Sequence, residues 1–299
     1  EVAFRTGALM RELDMPEPAA ERLGVALDRA RRLGDLSMES RALGMLSRLD
    51  LQLDRRDDAL RHFDEVIALE TRLGNRTEVA RARLSRGQIY LDANRPAEAI
   101  RELSDARDLI RQADDPQFSV QAHGLLGRAL MLANRETEAL NELESAVHGA
   151  RAIGDVPGEA HWLIAAGEAM LRSGESEHAS ALVERAEELA RMTDDNALRA
   201  EVFNLAGQVA LVERRLGDAE DAFTSATAAA RAAGMPGQAL HYLPLLARLA
   251  AESGEMDQSL RYLDAAIDEA ASAGEPGMIP RLHAQAARLL VQSGKREAA

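Results

Sequence analysis

Residues 87–106, GQIYLDANRPAEAIRELSDA, are followed forty residues later by residues 127–146, GRALMLANRETEALNELESA. The two stretches align without a gap, and each begins with glycine, has alanine twelve positions later and leucine sixteen positions later. The same spacing extends in both directions over the whole chain. Self-similarity at a fixed period of this size is the sequence signature of a repeat architecture. We therefore expect stacked repeating units rather than one closed globular core.

Two columns of the repeat predict how the units pack. A small column contains Gly7, Ser47, Gly87, Gly127, Gly167, Gly207, Ala247 and Ala287. A large apolar column contains Leu23, Phe63, Leu103, Leu143, Val183, Phe223 and Leu263. Helices approach closely only where side chains are small, and one bulky residue in each unit fills the remaining gap. The pattern predicts an all-α fold made of antiparallel helix hairpins.

Turn residues divide the chain at the same interval. The two helices of a unit are separated by Asp14, Asp54, Asn94, Asn134, Gly174, Arg214, Gly254 and Gly294. All of these except Arg214 are residue types that tolerate the left-handed conformation at a helix exit. Successive units are separated by Gly34, Gly74, Asp114, Gly154, Asp194, Gly234 and Gly274. We predict a single solenoid over residues 1–299, with units starting near 34, 74, 114, 154, 194, 234 and 274 and with truncated first and last units.

Composition narrows the classes of partner. The chain has 299 residues, 46% of them hydrophobic, no cysteine and a formal net charge of −14. Such a charge disfavours nucleic acid and anionic membranes as direct partners. No apolar run approaches the roughly 18 residues needed to cross a bilayer, and no leader segment opens the sequence. We expect a cytoplasmic protein, and the ends of the sequence suggest a piece of a longer one.

The repeat resembles the tetratricopeptide repeat. Gly87, Tyr90, Ala99, Leu103 and Ala106 match its motif, and the next unit repeats the match. The unit is six residues longer than the family standard. Long units that end in Leu-Gly-Asp or Leu-Gly-Asn, here at Leu33–Asp35 and Leu73–Asn75, resemble those in bacterial regulators of the maltose-activator type and in cell-polarity adaptors. The resemblance implies a right-handed α-α superhelix whose first helices line a concave binding groove.

When the groove positions of the family are transferred to this sequence, the resemblance implies three rows of groove residues on the first helices. The 41 row contains Arg41, Arg81, Gln121, His161, Glu201, His241 and Arg281. The 48 row contains Arg48, Gln88, Arg128, Glu168, Gln208, Arg248 and Arg288. The middle row contains Phe4, Gly44, Leu84, Gly124, Ile164, Asn204, Pro244 and Ala284. We predict that Leu84, Ile164 and Asn204 of the middle row contribute to binding together with the two outer rows.

The outer rows are cationic inside an acidic protein. Seven of their fourteen residues are arginine and two are glutamate, a balance of +5. One hypothesis is that these arginines attract an acidic peptide or a C-terminal carboxylate through bidentate hydrogen bonds. The other is that they are solvated and pair with acidic neighbours on adjacent units. The Lys and Asn of the family's carboxylate clamp are absent.

No pattern predicts catalysis. The seven histidines have no metal-ligand spacing, and phosphate-binding and nucleophile motifs are missing. We therefore predict no enzyme activity, no metal and no cofactor. The leading hypothesis is a protein- or peptide-binding scaffold or sensor module of a larger bacterial signalling or regulatory protein. One alternative is a peptide or small-ligand receptor domain of a transcriptional activator. Another is an architectural scaffold that self-associates through the apolar C-terminal residues Leu289, Leu290 and Val291.

Overall fold

The computed structural model describes residues 1–111 and 115–292. Over these residues the chain forms fifteen α-helices and one short 3-10 turn, and none of these residues is in a strand. The predicted all-α class is confirmed. The unit boundary predicted near 114, with Asp114, and the turn predicted at Gly294 lie outside the described residues.

The helices alternate between two positions in a hairpin. The first helices are α1 (Val2–Glu12), α3 (Leu36–Gln52), α5 (Arg76–Asp92), α7 (Pro116–Leu132), α9 (Val156–Ser173), α11 (Asn196–Val212), α13 (Pro236–Glu252) and α15 (Ile279–Gln292). The second helices are α2 (Pro16–Leu33), α4 (Arg56–Leu73), α6 (Pro96–Ile110), α8 (Glu136–Ile153), α10 (Ser176–Arg191), α12 (Leu216–Ala232) and α14 (Met256–Ser272). From α3 to α13, each first helix begins forty residues after the preceding one.

The chain separates into two compact units, Glu1–Gly149 and Ala150–Ala299, and the division falls inside α8. In the unit Glu1–Gly149, α1 packs on α2, α3 on α4 and α5 on α6, and each second helix also packs on the first helix that follows it. In the unit Ala150–Ala299, the same pattern joins α9 to α10, α11 to α12 and α13 to α14.

Left-handed residues end most first helices. Five residues that are not glycine have φ angles between 54° and 59°: Asp14, Asp54, Asn94, Asn134 and Arg214. The predicted exit conformation is therefore confirmed at these positions. Arg214 adopts it too, although its Cβ makes the left-handed region unfavourable.

The exit of α10 differs from the prediction. Asp194 does not have a positive φ, whereas Gly34, Gly74, Gly154, Gly234 and Gly274 do. At this exit the side chain of Arg199 donates hydrogen bonds to the backbone carbonyls of Thr193 at 2.7 Å and Ala190 at 3.3 Å. The hydroxyl of Thr193 also donates to the Ala190 carbonyl, at 3.2 Å. A guanidinium thus satisfies carbonyl groups that a left-handed turn satisfies elsewhere.

Glycines of the small column set the distance between paired helices. A Cβ atom at Gly87 would lie 2.5 Å from Leu103 Cγ, and one at Gly127 would lie 2.6 Å from Leu143 Cγ. Both leucines are fully buried. At these two positions the backbone of the first helix therefore touches the large residue of its own second helix.

Gly167 follows this rule with a different partner. Its Cβ would lie 2.7 Å from Leu205 Cδ2, on the next first helix. The large column holds Val183 in this unit, and valine is too short to fill the space that leucine fills elsewhere. Leu205, which is fully buried, occupies that space from α11.

We expect Gly87→Ala to lower the free energy of unfolding by about 1–3 kcal/mol, because the new methyl group overlaps a buried leucine. Gly24→Ala is the matched control, since Gly24 is also helical and a Cβ there meets no atom within 4 Å. The control should raise stability by about 0.5–1 kcal/mol through helix propensity alone. Urea unfolding measures the change in the free energy of unfolding for each variant. A stabilised Gly87→Ala variant would contradict the close contact between Gly87 and Leu103.

We expect Arg214→Gly to raise the free energy of unfolding by about 1 kcal/mol, because glycine adopts a positive φ without steric cost. Ala93→Gly is the control, because Ala93 is an exposed turn residue with a φ of −84°. That substitution should lower stability, since glycine only adds chain entropy to the unfolded state there. Thermal unfolding followed by circular dichroism distinguishes the two results.

Candidate functional site

The first helices of the unit Glu1–Gly149 carry a strongly cationic face. Arg41 and Arg48 on α3, Arg81 on α5 and Arg128 on α7 are all exposed. The other members of the two outer rows on these helices are Gln88 and Gln121, which are neutral. Two residues seven apart lie on the same side of a helix, about 10.5 Å from each other along its axis. These six positions carry four positive charges and no negative charge; we call them, with Gly44 between them, the arginine face.

The middle row is less exposed to a ligand than the sequence predicted. Leu84 is 5% exposed and Ile164 is 6% exposed, so both side chains belong to the interior. Asn204 is half-buried. Gly44 on α3 is different, because a Cβ atom built there would meet no atom within 4 Å. The open space between the outer rows is therefore located over Gly44.

Two arginines of this face are held by aromatic rings. The guanidinium carbon of Arg41 lies 4.7 Å from the ring centre of Phe4, and that of Arg81 lies 4.4 Å from the ring centre of Phe118. Arg81 also pairs with Glu78 at 2.8 Å and lies 3.8 Å from Asp115. Cation–π contacts at exposed positions contribute about 0.5–1 kcal/mol each and limit the motion of the guanidinium.

Arg48 is in a different electrostatic environment. It makes no hydrogen bond or ion pair with residues 1–111 and 115–291. Desolvation lowers the pKa of its guanidinium, the charges of Arg11 and Arg81 lower the pKa further, and Glu78 opposes them. Arg128 likewise has no ion pair within the described parts of the chain.

The corresponding face of the unit Ala150–Ala299 is mixed in charge. Its outer rows contain three arginines and two glutamates, a balance of +1, from the residues His161, Glu168, Glu201, Gln208, His241, Arg248, Arg281 and Arg288. His161 Nδ1 lies 3.9 Å from Glu201 Oε2, and Arg248 Nε lies 3.8 Å from Glu252 Oε1. His241 Nδ1 donates a hydrogen bond to the carbonyl of Gly237 at 2.6 Å. Most of the predicted cationic character therefore belongs to the unit Glu1–Gly149.

Within the described residues, no group of three or more His, Asp or Glu side chains has a geometry that would hold a metal ion. Trp162 is 7% exposed, and its ring lies in a T-shaped arrangement with that of His161 at 4.7 Å, so it is packed as a core residue. None of the helices in the described ranges combines the length and apolarity of a membrane span.

A half-buried charged cluster in the unit Glu1–Gly149 was not predicted from the sequence. His123 Nδ1 and Glu142 Oε2 are 2.6 Å apart, and Arg107 Nη1 donates to Glu142 Oε1 at 2.5 Å. Burial raises the pKa of the Glu142 carboxyl, but the hydrogen bond from His123 and the charge of Arg107 outweigh it, so the pKa lies below the usual 4.5.

An equivalent pair lies one repeat earlier. Arg83 and Glu102 occupy the same two columns as His123 and Glu142, and their side chains are 2.9 Å apart. Glu102 is only 2% exposed, and Arg86 and Arg101 also lie within 3.6 Å of it. The signal that would have identified both pairs is a basic residue followed nineteen positions later by an acidic one in consecutive units.

No protein-family model and no curated protein sequence matches this chain. Several solved structures are similar to it. A signal transduction ATPase with numerous domains and a tetratricopeptide repeat sensor, from Pyrococcus horikoshii, matches 99% of this chain over 47% of its own length, with 12% identity and a TM-score of 0.71. Aspartyl phosphate phosphatase F from Bacillus subtilis matches 88% of this chain over 73% of its own, with 11% identity and a TM-score of 0.64.

A third structure is a Rap protein in complex with competence and sporulation factor. It matches 87% of this chain over 77% of its own length, with 12% identity and a TM-score of 0.59. At these identities the likeness concerns the fold. It confirms a helical repeat solenoid of tetratricopeptide type. The fold alone decides neither the ligand nor whether the chain is an enzyme.

We expect Glu142→Gln to lower the free energy of unfolding by about 2 kcal/mol near neutral pH, because it removes the charge that His123 and Arg107 bind. A carboxyl whose folded pKa lies below its unfolded pKa stabilises the fold above its unfolded value and loses this contribution as the pH falls through the folded one. The difference between wild type and variant should therefore shrink below pH 4.5.

Urea titrations at several pH values measure this difference. Glu144→Gln is the control, because Glu144 is exposed on the same helix. A pH-independent loss in Glu142→Gln would show that packing, rather than charge, accounts for the effect.

Proposed function

We propose that this chain is a non-catalytic binding module that holds an acidic peptide segment on the arginine face of the unit Glu1–Gly149. The observation that carries the proposal is the concentration of four exposed arginines, with no acidic residue among the six outer-row positions of α3, α5 and α7, within a chain of net charge −14. Most of the protein surface repels an acidic partner, so this face is where such a partner is attracted.

The side-chain chemistry supports a carboxylate-rich partner. Guanidinium groups bind carboxylates through paired, charge-assisted hydrogen bonds, which are stronger than neutral ones. Arg41 and Arg81 are already held against the rings of Phe4 and Phe118. Less side-chain entropy is therefore lost when a ligand binds them.

The hypothesis that these arginines pair with acidic neighbours on adjacent units accounts for only part of the face. Within the described residues, Arg81 pairs with Glu78 and Asp115, and Arg248 pairs with Glu252 on its own helix. Arg41, Arg48 and Arg128 have no such ion pair with the described residues. These three side chains remain available to an external carboxylate.

We also propose that the chain is a scaffold or sensor module of a larger bacterial signalling or regulatory protein, because a module that binds without catalysis fits that role. The Pyrococcus horikoshii ATPase, whose name includes numerous domains and a tetratricopeptide repeat sensor, is similar to the present chain over 47% of its own length. That comparison supports the architecture of such an assembly and leaves the ligand to be tested directly.

The test uses three labelled peptides of equal length in which alanine alternates with Glu, Gln or Lys. We expect the Glu peptide to bind more tightly than the neutral Gln peptide in fluorescence anisotropy titrations, and its affinity to fall steeply as salt is raised. The double variant Arg41→Glu, Arg128→Glu should lower the affinity at least about tenfold, which corresponds to about 1.4 kcal/mol.

The matched control is Arg22→Glu, Arg29→Glu, which changes the net charge equally at exposed positions of α2, a second helix. Circular dichroism verifies that both double variants are folded. An equal loss of affinity in the two double variants would mean that net charge, and not this face, attracts the peptide. Failure of the wild-type protein to bind the Glu peptide would refute the proposed function.

A further inference from the structure

One face of α1 exposes apolar side chains at positions that are buried in the first helices α3 to α13. Val2 is 78% exposed and Leu9 is 55% exposed. The equivalent residues of the six later helices are at most 7% exposed: Ala42, Ala82, Ala122, Trp162, Val202 and Tyr242 in the column of Val2, and Leu49, Ile89, Ala129, Ala169, Val209 and Leu249 in the column of Leu9. Two columns that form part of the core elsewhere are therefore open to solvent on α1.

The later hairpins show what kind of helix covers these columns. In the unit Glu1–Gly149, α2 packs on α3, α4 on α5 and α6 on α7. The helix α1 contacts its own second helix, α2, and the next first helix, α3, and neither of them covers the two columns. The covering helix in the later hairpins is therefore the preceding second helix.

A covering helix runs antiparallel to the first helix on which it packs. At the end of α2 and the start of α3, Arg31 Nε donates to Glu39 Oε1 at 3.0 Å. At the other end of this pair, Gln52 Nε2 donates to Oδ1 of Asp14, just before α2, at 3.0 Å. The open face of α1 thus has the shape to receive one antiparallel helix with an apolar stripe.

The helix α1 itself has such a stripe. Val2, Leu9 and Leu13 are separated by seven and four residues, a spacing that places them on one side of the helix. Leu13 is 63% exposed. We call these three residues the α1 stripe. Arg5 and Glu12 are exposed and flank the stripe along the same edge.

We propose that the α1 stripe is the contact surface of a symmetric dimer, in which α1 of a second copy packs antiparallel on α1 of the first. A twofold axis perpendicular to the helices, close to Leu9, makes the same stripe serve both copies, so the contact closes at two chains. The direction of the second α1 is the one that the covering second helices have in the later hairpins.

Charge supports a second copy as the occupant. In an antiparallel helix pair, residues on the same edge of the two helices meet, so an axis between residues 8 and 9 places Arg5 of one copy beside Glu12 of the other, twice. Arg5 pairs with Glu1 at 3.0 Å in an exposed contact, and such contacts are weak and easily exchanged. The four charged side chains of residues 1–12, two arginines and two glutamates, cancel one another. The contact region is therefore neutral although the chain has a net charge of −14.

Sedimentation equilibrium of the whole chain tests the dimer. We expect the wild-type mass to rise with concentration from 32.4 kDa towards twice that value. Leu9→Glu should raise the dimer dissociation constant at least about tenfold, because it places a charge in the stripe. Leu33→Glu is the matched control, since Leu33 is an 81% exposed leucine at the end of α2, and it should dimerise as the wild type does. Circular dichroism verifies that both variants are folded.

A charge exchange tests the antiparallel arrangement. Arg5→Glu and Glu12→Arg each place like charges together in their own dimers, so each should dimerise more weakly than the wild type. Mixed together, the two variants should form a heterodimer at least about fivefold tighter than either homodimer, because both contacts then join opposite charges. Labelled Arg5→Glu, sedimented with excess Glu12→Arg, measures this difference.

Three results would overturn the proposal. One is a wild-type mass that stays at 32.4 kDa at every concentration. Another is a mixture of the two charge variants that associates no better than either variant alone. The third is a dimer that survives Leu9→Glu but is lost in Val291→Glu, which would place the contact at the C-terminal helix α15, where Val291 is 49% exposed.

Discussion

The contact between a helix backbone and a buried leucine or phenylalanine determines the rest of this structure. Where Gly87, Gly127 and Gly207 stand, the first helix lies directly against the large residue of its second helix, with no room for a methyl group. Close approach fixes the separation and rotation of the two helices. The positions that face outward follow from that rotation, and among them are the arginines of the unit Glu1–Gly149.

Each helix must end in a turn that satisfies its last carbonyl groups, and different side chains meet this requirement. Most first helices end in Asp, Asn or Gly with a positive φ, and Arg214 meets the same need in spite of its Cβ. After α10 no left-handed residue is present, and the guanidinium of Arg199 binds the carbonyls instead. The forty-residue register is therefore maintained by packing, while the chemistry of each turn is free to vary.

Periodicity predicted the helices, their hairpin pairing and the exposure of the outer rows, because each depends on side-chain size at fixed spacing. It did not predict that Leu84 and Ile164 are buried, since a position alone does not show how far a neighbouring helix extends over it. It also missed the Glu142 cluster, because this cluster depends on contacts between columns rather than on any one column. Which rows bind a ligand remains a prediction from position and charge.

Because the repeats follow one another without gaps, whole units can be lost or duplicated during evolution. Loss or duplication of one forty-residue segment rejoins a first helix to a second helix in the same register, so each new junction again places a small-column residue opposite a large-column residue. Such an event leaves the core intact but removes or adds whole arginines at the surface. The electrostatic strength of the surface can thus be altered by copy number, in steps, without any redesign of the interior.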